Sequence, residues 1–163
     1  FGLRTGSRRR AILSGVGSTV VALPVIYGLQ ALSVVVLKAV GMKPDAQENV
    51  RLLLEGGLAL RAYIAVFAVV VAPVVEEALF RGVLLTFFRD IGHCRAGVWI
   101  TAILFGLVHF NRAAFVPLAV FGLLLAWLYE RTGNLLAPLA AHATFNLAPF
   151  VMLALGIHFD FAN

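Results

Sequence analysis

The sequence predicts an all-α bundle that crosses a membrane about five times, and three observations carry that expectation. The 163 residues are 61% hydrophobic and 13% charged, whereas about a quarter of a soluble domain is charged. The apolar residues also come in long blocks. Ala11–Leu37 holds no Asp, Glu, Lys or Arg and exceeds the roughly 18 apolar residues that mark a spanning helix. Short polar connections separate most of the blocks, as antiparallel neighbours require. The whole of 1–163 is expected to form a single integral membrane domain.

The first span is Ala11–Val40. Arg8, Arg9 and Arg10 precede it, where basic side chains meet anionic headgroups, and Pro24 within it predicts tilt or a kink. Met42–Gly57 is the one sizeable polar segment. Pro44 and Asp45 resemble a helix start and Val50, Leu53 and Leu54 form an apolar edge, so an interfacial helix is expected within 41–57. The remaining spans are Ala62–Phe88, Ala96–Phe110, Ala114–Glu130 and Leu135–Ile157. Pro138 falls in the first turn of the last, where its missing N–H costs little.

The net charge of +5 sits at span ends and not on a basic, aromatic-bearing soluble surface, which argues against nucleic acid as a partner. Membrane lipids and a peptide or protein substrate are the expected partners; oligomeric state is not legible. Arg4, Arg8, Arg9, Arg10, Arg89, Arg95 and Arg131 fall on the N-terminal side, and Lys38, Lys43, Arg51, Arg61 and Arg112 on the other. Seven against five favours a cytoplasmic N-terminus. The apolar run after the arginines is too long for a secretory signal. The chain opens on Phe1, as an excerpt of a longer protein would. A prokaryotic plasma membrane is the expected location. Cys94, the single cysteine, excludes an internal disulfide and reads as a small apolar filler near a helix end.

Ionisable side chains inside a span cost about 2.5–3.5 kcal/mol each on insertion scales, so Glu76, Glu77 and Arg81 need an explanation. Glu77 and Arg81 are four apart and share a helix face in the favourable order, acid before base. Glu76 is rotated about 100° away and has no partner on its own helix. His109 follows Phe105 by one turn near the end of the third span, and His142 and Asn146 share a face of the fifth. No Asp lies in any span. His93 and His158 occupy loop or terminal positions and are read as uninvolved.

Several intramembrane chemistries lack their residues here. There is no HExxH zinc helix, no pair of intramembrane aspartates, no GxSxG, and no Glu-x-x-His pairs of the di-iron kind. The only serines in the spans are Ser14, Ser18 and Ser33, all in the first. What survives is a glutamate acting on water, with imidazole and amide groups to hold charge.

The residues then match a known pattern. EEALFR at 76–81, FGLVH at 105–109 and HATFN at 142–146 fit EExxxR, FxxxH and HxxxN in that order. This trio, within a core of 72–149, resembles the CPBP family: CAAX prenyl proteases of the Ras-converting type and their bacterial Abi and bacteriocin-processing relatives. The resemblance implies a glutamate-dependent intramembrane endopeptidase with no required cofactor or metal. It implies Glu76 as general base, His109 as a positioner of its water, and His142 and Asn146 as oxyanion donors. Glu77 and Arg81 would support the site as a structural ion pair. Two alternatives stay open at this point: a non-catalytic immunity or scaffold protein, and a zinc-dependent membrane hydrolase.

Overall fold

A computed structural model describes residues 7–43 and 57–156. Those residues form five helical rods and no strand. They are α1 (Arg8–Ala39), α2 (Leu58–Asp90), α3 (Cys94–Leu107), α4 (Arg112–Thr132) and α5 (Leu136–Ala154). Four are long and apolar enough to cross a membrane, and α3 is a shorter apolar helix. Large apolar side chains such as Val21, Val25 and Val35 of α1, and Val70, Val75 and Val83 of α2, stand exposed on the outer faces. That surface suits lipid, which solvates apolar side chains while each helix satisfies its own backbone. The protein is an integral membrane protein.

Helix α4 is the hub, packed against all four others. Phe121, Leu125, Ala126 and Leu128 of α4 are buried, and Phe121 and Leu125 join Phe80, Phe105 and Ala141 in the core. Small residues let the backbones approach. A Cβ on Gly122 would lie 3.0 Å from the Ala102 Cα of α3, and one on Gly106 would lie 2.8 Å from the Phe115 carbonyl oxygen of α4. On the other flank, Gly15 of α1 abuts Ala137 and Ala141 of α5, and the Thr19 hydroxyl donates to the Ala141 carbonyl at 3.2 Å. Helix α4 starts where the Asn111 side chain accepts the Ala114 N–H at 2.9 Å, an N-cap. It ends at Gly133, whose φ of +59° closes the helix in the left-handed region.

Helix α2 differs from the rest. Its α-helical turns at Leu58–Val66, Ala72–Glu77 and Thr86–Asp90 are separated by π-helical stretches at Phe67–Val71 and Ala78–Leu85. Pro73 has no N–H to offer back along the helix, and the first wide stretch lies immediately before it. Both stretches receive a side-chain donor. The Asn146 amide donates to the Ala68 carbonyl at 2.7 Å, and the Thr86 hydroxyl to the Arg81 carbonyl at 2.9 Å. Such inserted groups are a recognised cause of widened helical turns.

The third span is shorter than the expected Ala96–Phe110. It stops at Leu107, Phe110 takes a φ of +48°, and Asn111 already caps the next helix. At 1.5 Å per residue α3 is about 21 Å long, well under the roughly 30 Å of a hydrocarbon core. Cys94 is not an apolar filler: its thiol donates to Glu130 at 3.1 Å, and Glu130 also faces Arg89 at 3.8 Å. Most of the expected interfacial helix at 41–57, and His158, lie outside the described residues.

Candidate active site

The site begins with the pair that helix spacing places together. Arg81 Nη1 donates to Glu77 Oε1 at 3.0 Å, and both side chains are fully buried. Arg81 does not stop there: Nη2 donates to the Gly122 carbonyl of α4 at 2.8 Å, and the guanidinium lies 5.1 Å from the centroid of the Phe105 ring. The cation is thus held by a carboxylate, a carbonyl and an aromatic face. Burying it this way is tolerable only because these partners replace water.

Glu77 has a second partner on another helix. His142 Nδ1 of α5 lies 2.9 Å from the same Oε1. A carboxylate paired with Arg81 only accepts, so Nδ1 carries the proton of that bond. The opposite ring nitrogen, Nε2, then points along the line to Glu76, whose Oε2 is 3.8 Å away. That oxygen is buried and has no hydrogen-bond partner. The remainder of the Glu76 side chain is 27% exposed. A chain of contacts therefore runs Gly122–Arg81–Glu77–His142–Glu76, from the hub helix outward to an acid that keeps an open side.

Phe105 organises the surroundings. Its fully buried ring makes edge contacts with His142 at 5.4 Å and Phe80 at 5.4 Å, and a tilted contact with His109 at 5.0 Å. Phe121 adds a second edge contact to His142 at 5.8 Å. These rings give His142 an apolar collar, which strengthens every charge interaction inside it.

The remaining predicted residues stand at the margin. His109 Nδ1 sits 2.7 Å from the Phe105 carbonyl; a carbonyl only accepts, so Nδ1 is protonated and the exposed ring keeps Nε2 for another partner. Asn146 lies one turn beyond His142 and uses one amide N–H on Ala68, which leaves one N–H uncommitted. The structure therefore links Glu76, Glu77, Arg81 and His142 directly, His109 through Phe105, and Asn146 through α5 and its bond to Ala68 of α2. Phe105, the Gly122 carbonyl and the Ala68 carbonyl were not singled out in the sequence. Phe105 had a signal, since it opens the FxxxH match; the two carbonyls had none. Among the described residues no group of three or more His, Cys, Asp and Glu side chains is placed to hold a metal ion.

The pattern of the family described as Type II CAAX prenyl endopeptidase Rce1-like matches residues 58–148. This interval is more than half of the chain and contains every residue of the site. A curated relative, the "Uncharacterized protein YpbD" of Bacillus subtilis (strain 168), is 33% identical over 81 residues, 47% of this chain and 39% of the relative. The chain thus spans under half of that relative's length. No solved structure matches it. By the family pattern, which runs from the start of α2 into α5, the chain belongs to the Rce1-like family of type II CAAX prenyl endopeptidases.

Proposed function

We propose that the protein is an intramembrane endopeptidase in which Glu76 activates water against a peptide bond of a membrane-associated substrate. The observation that carries this reading is the division of labour between adjacent acids. Glu77 is fully buried and its Oε1 is shared by Arg81 and His142, while Glu76, whose own buried Oε2 is unpartnered like that of Glu77, makes no hydrogen bond to either and keeps a side chain 27% exposed. An acid serving structure alone has no use for that freedom.

His142 Nε2 lies 3.8 Å from Glu76 Oε2, close enough for the two groups to act on the same substrate atoms. In the reaction, Glu76 takes a proton from water as the water oxygen bonds to the scissile carbonyl carbon. The carbonyl electron pair moves onto oxygen, and the oxyanion is held by the Nε2–H of His142 and the free N–H of Asn146. Collapse restores the carbonyl and breaks the C–N bond, and Glu76 returns its proton to the leaving nitrogen. His109, with Nε2 as acceptor, orients the water. Donors of this type are each worth about 2.7–4 kcal/mol of transition-state stabilisation.

The family match supports a substrate that is a C-terminal peptide carrying a prenyl group, or another lipid-anchored or leader peptide presented at the membrane. The test is a proteomic comparison of membranes that hold the active protein with membranes that hold Glu76→Gln. A full-length precursor accumulating only with the variant supports the reading. Identical termini in both, with both proteins present at equal levels, would remove Glu76 from any proteolytic step.

A further inference from the structure

A second feature lies away from the carboxylates. A groove of about 610 Å³ opens along the outer surface between α1 and α4. Gly17, Ser18, Val21 and Val25 of α1 and Leu124 and Trp127 of α4 line it, so its wall is apolar apart from one hydroxyl and the indole N–H. The volume is in the range of pockets that enclose small ligands. At Gly17 the groove is open, since a Cβ there would meet nothing within 4 Å.

One end of this groove is basic. The Arg131 guanidinium lies 5.8 Å from the centroid of the Trp127 ring, at the end of α4. Helices α1 and α4 run antiparallel, since two helices, α2 and α3, intervene between them, so Arg8, Arg9 and Arg10 at the start of α1 are at that same end. All four arginines are exposed, and none is paired with a carboxylate among the described residues. Tryptophan beside arginine is the composition of a membrane–water boundary, and a guanidinium binds phosphate oxygens in pairs.

We propose that the α1–α4 groove binds one anionic phospholipid, with an acyl chain along Val21 and Leu124 and its phosphate beneath Arg131 and the Arg8–Arg10 cluster. The apolar wall sets the orientation of the chain and the basic end selects the headgroup charge. An apolar channel without the arginines would take any lipid, and arginines without the channel would hold headgroups only loosely. The binding is independent of the peptidase reading, because no lining residue belongs to the carboxylate cluster.

The test is native mass spectrometry of the full chain released from vesicles of equal POPG and POPC. The wild type is expected to retain one lipid with POPG in excess. Arg131→Ala should reduce the POPG preference by roughly fivefold, the effect of one basic residue at a lipid surface. Gly17→Phe fills the channel without touching any arginine, so it should lose the retained lipid of either headgroup while keeping the wild-type unfolding temperature. Equal retention of POPG and POPC by the wild type would overturn the proposal. So would retention that neither substitution changes, or a lipid-free dimer as the main species, which would make a second copy of the chain the occupant.

Discussion

Helices α2 and α4 divide the protein between chemistry and support. Helix α4 buries nine of its 21 residues, whereas the longer α2 buries only Pro73, Glu77, Phe80, Arg81 and Leu85. Yet α2 carries Glu76, Glu77 and Arg81, and α4 contributes to the site only a carbonyl and an aromatic edge. The difference is one of hydrogen bonding. A regular helix spends most of its backbone groups on itself, and α4 offers the site only the second lone pair of its Gly122 carbonyl. Helix α2 is widened on both sides of its two acids, and the neighbouring side chains Asn146 and Thr86 reach its backbone there. Helix α2 is thereby fixed to α5, and Glu77, between its two wide stretches, is held inside the bundle.

Four substitutions probe this division, from the largest expected effect to the smallest. Arg81→Ala strips the buried Glu77 of its cation, and removing one partner of a buried pair costs about 3–5 kcal/mol. Thermal unfolding in detergent should show this loss, and an unchanged midpoint would mean that α2 is not anchored through Arg81. Asn146→Ala removes a proposed oxyanion donor and the tie to Ala68 together. Turnover should fall by about 10²–10³, with the fall mainly in kcat. A change confined to KM would assign Asn146 to substrate binding instead. Gly122→Val forces a side chain into the Ala102 backbone, and overpacking of this kind costs about 1–3 kcal/mol. It should also lower turnover, because the displaced carbonyl no longer holds Arg81; stability loss with full turnover would separate α4 from the site. Thr86→Val removes one hydroxyl shared between the Arg81 carbonyl and Tyr129. The expected loss is about 0.5–1.5 kcal/mol, read from the same unfolding curves, with turnover retained.

The sequence made the regular parts visible and left the irregular parts hidden. Long apolar blocks located all five helices within a few residues, because insertion into lipid depends on composition averaged over a whole span. The four-residue spacing placed Glu77 beside Arg81, since both lie on one helix and need no tertiary information. The bond from Glu77 to His142 joins residues 65 apart in sequence, and no local period reports it. Neither π-helical stretch has a sequence signature beyond Pro73. The early stop of α3 was missed because Val108 and Phe110 continue the apolar pattern while the Asn111 cap already ends it.

The most direct test of the central claim is to compare Glu76→Gln with Glu77→Gln in thermal unfolding and peptide turnover, with both proteins reconstituted in the same vesicles. The account predicts that Glu76→Gln unfolds at the wild-type temperature with no detectable turnover, whereas Glu77→Gln loses stability because Arg81 and His142 lose their shared carboxylate. Turnover surviving in Glu76→Gln, or equal destabilisation by the two substitutions, would contradict it.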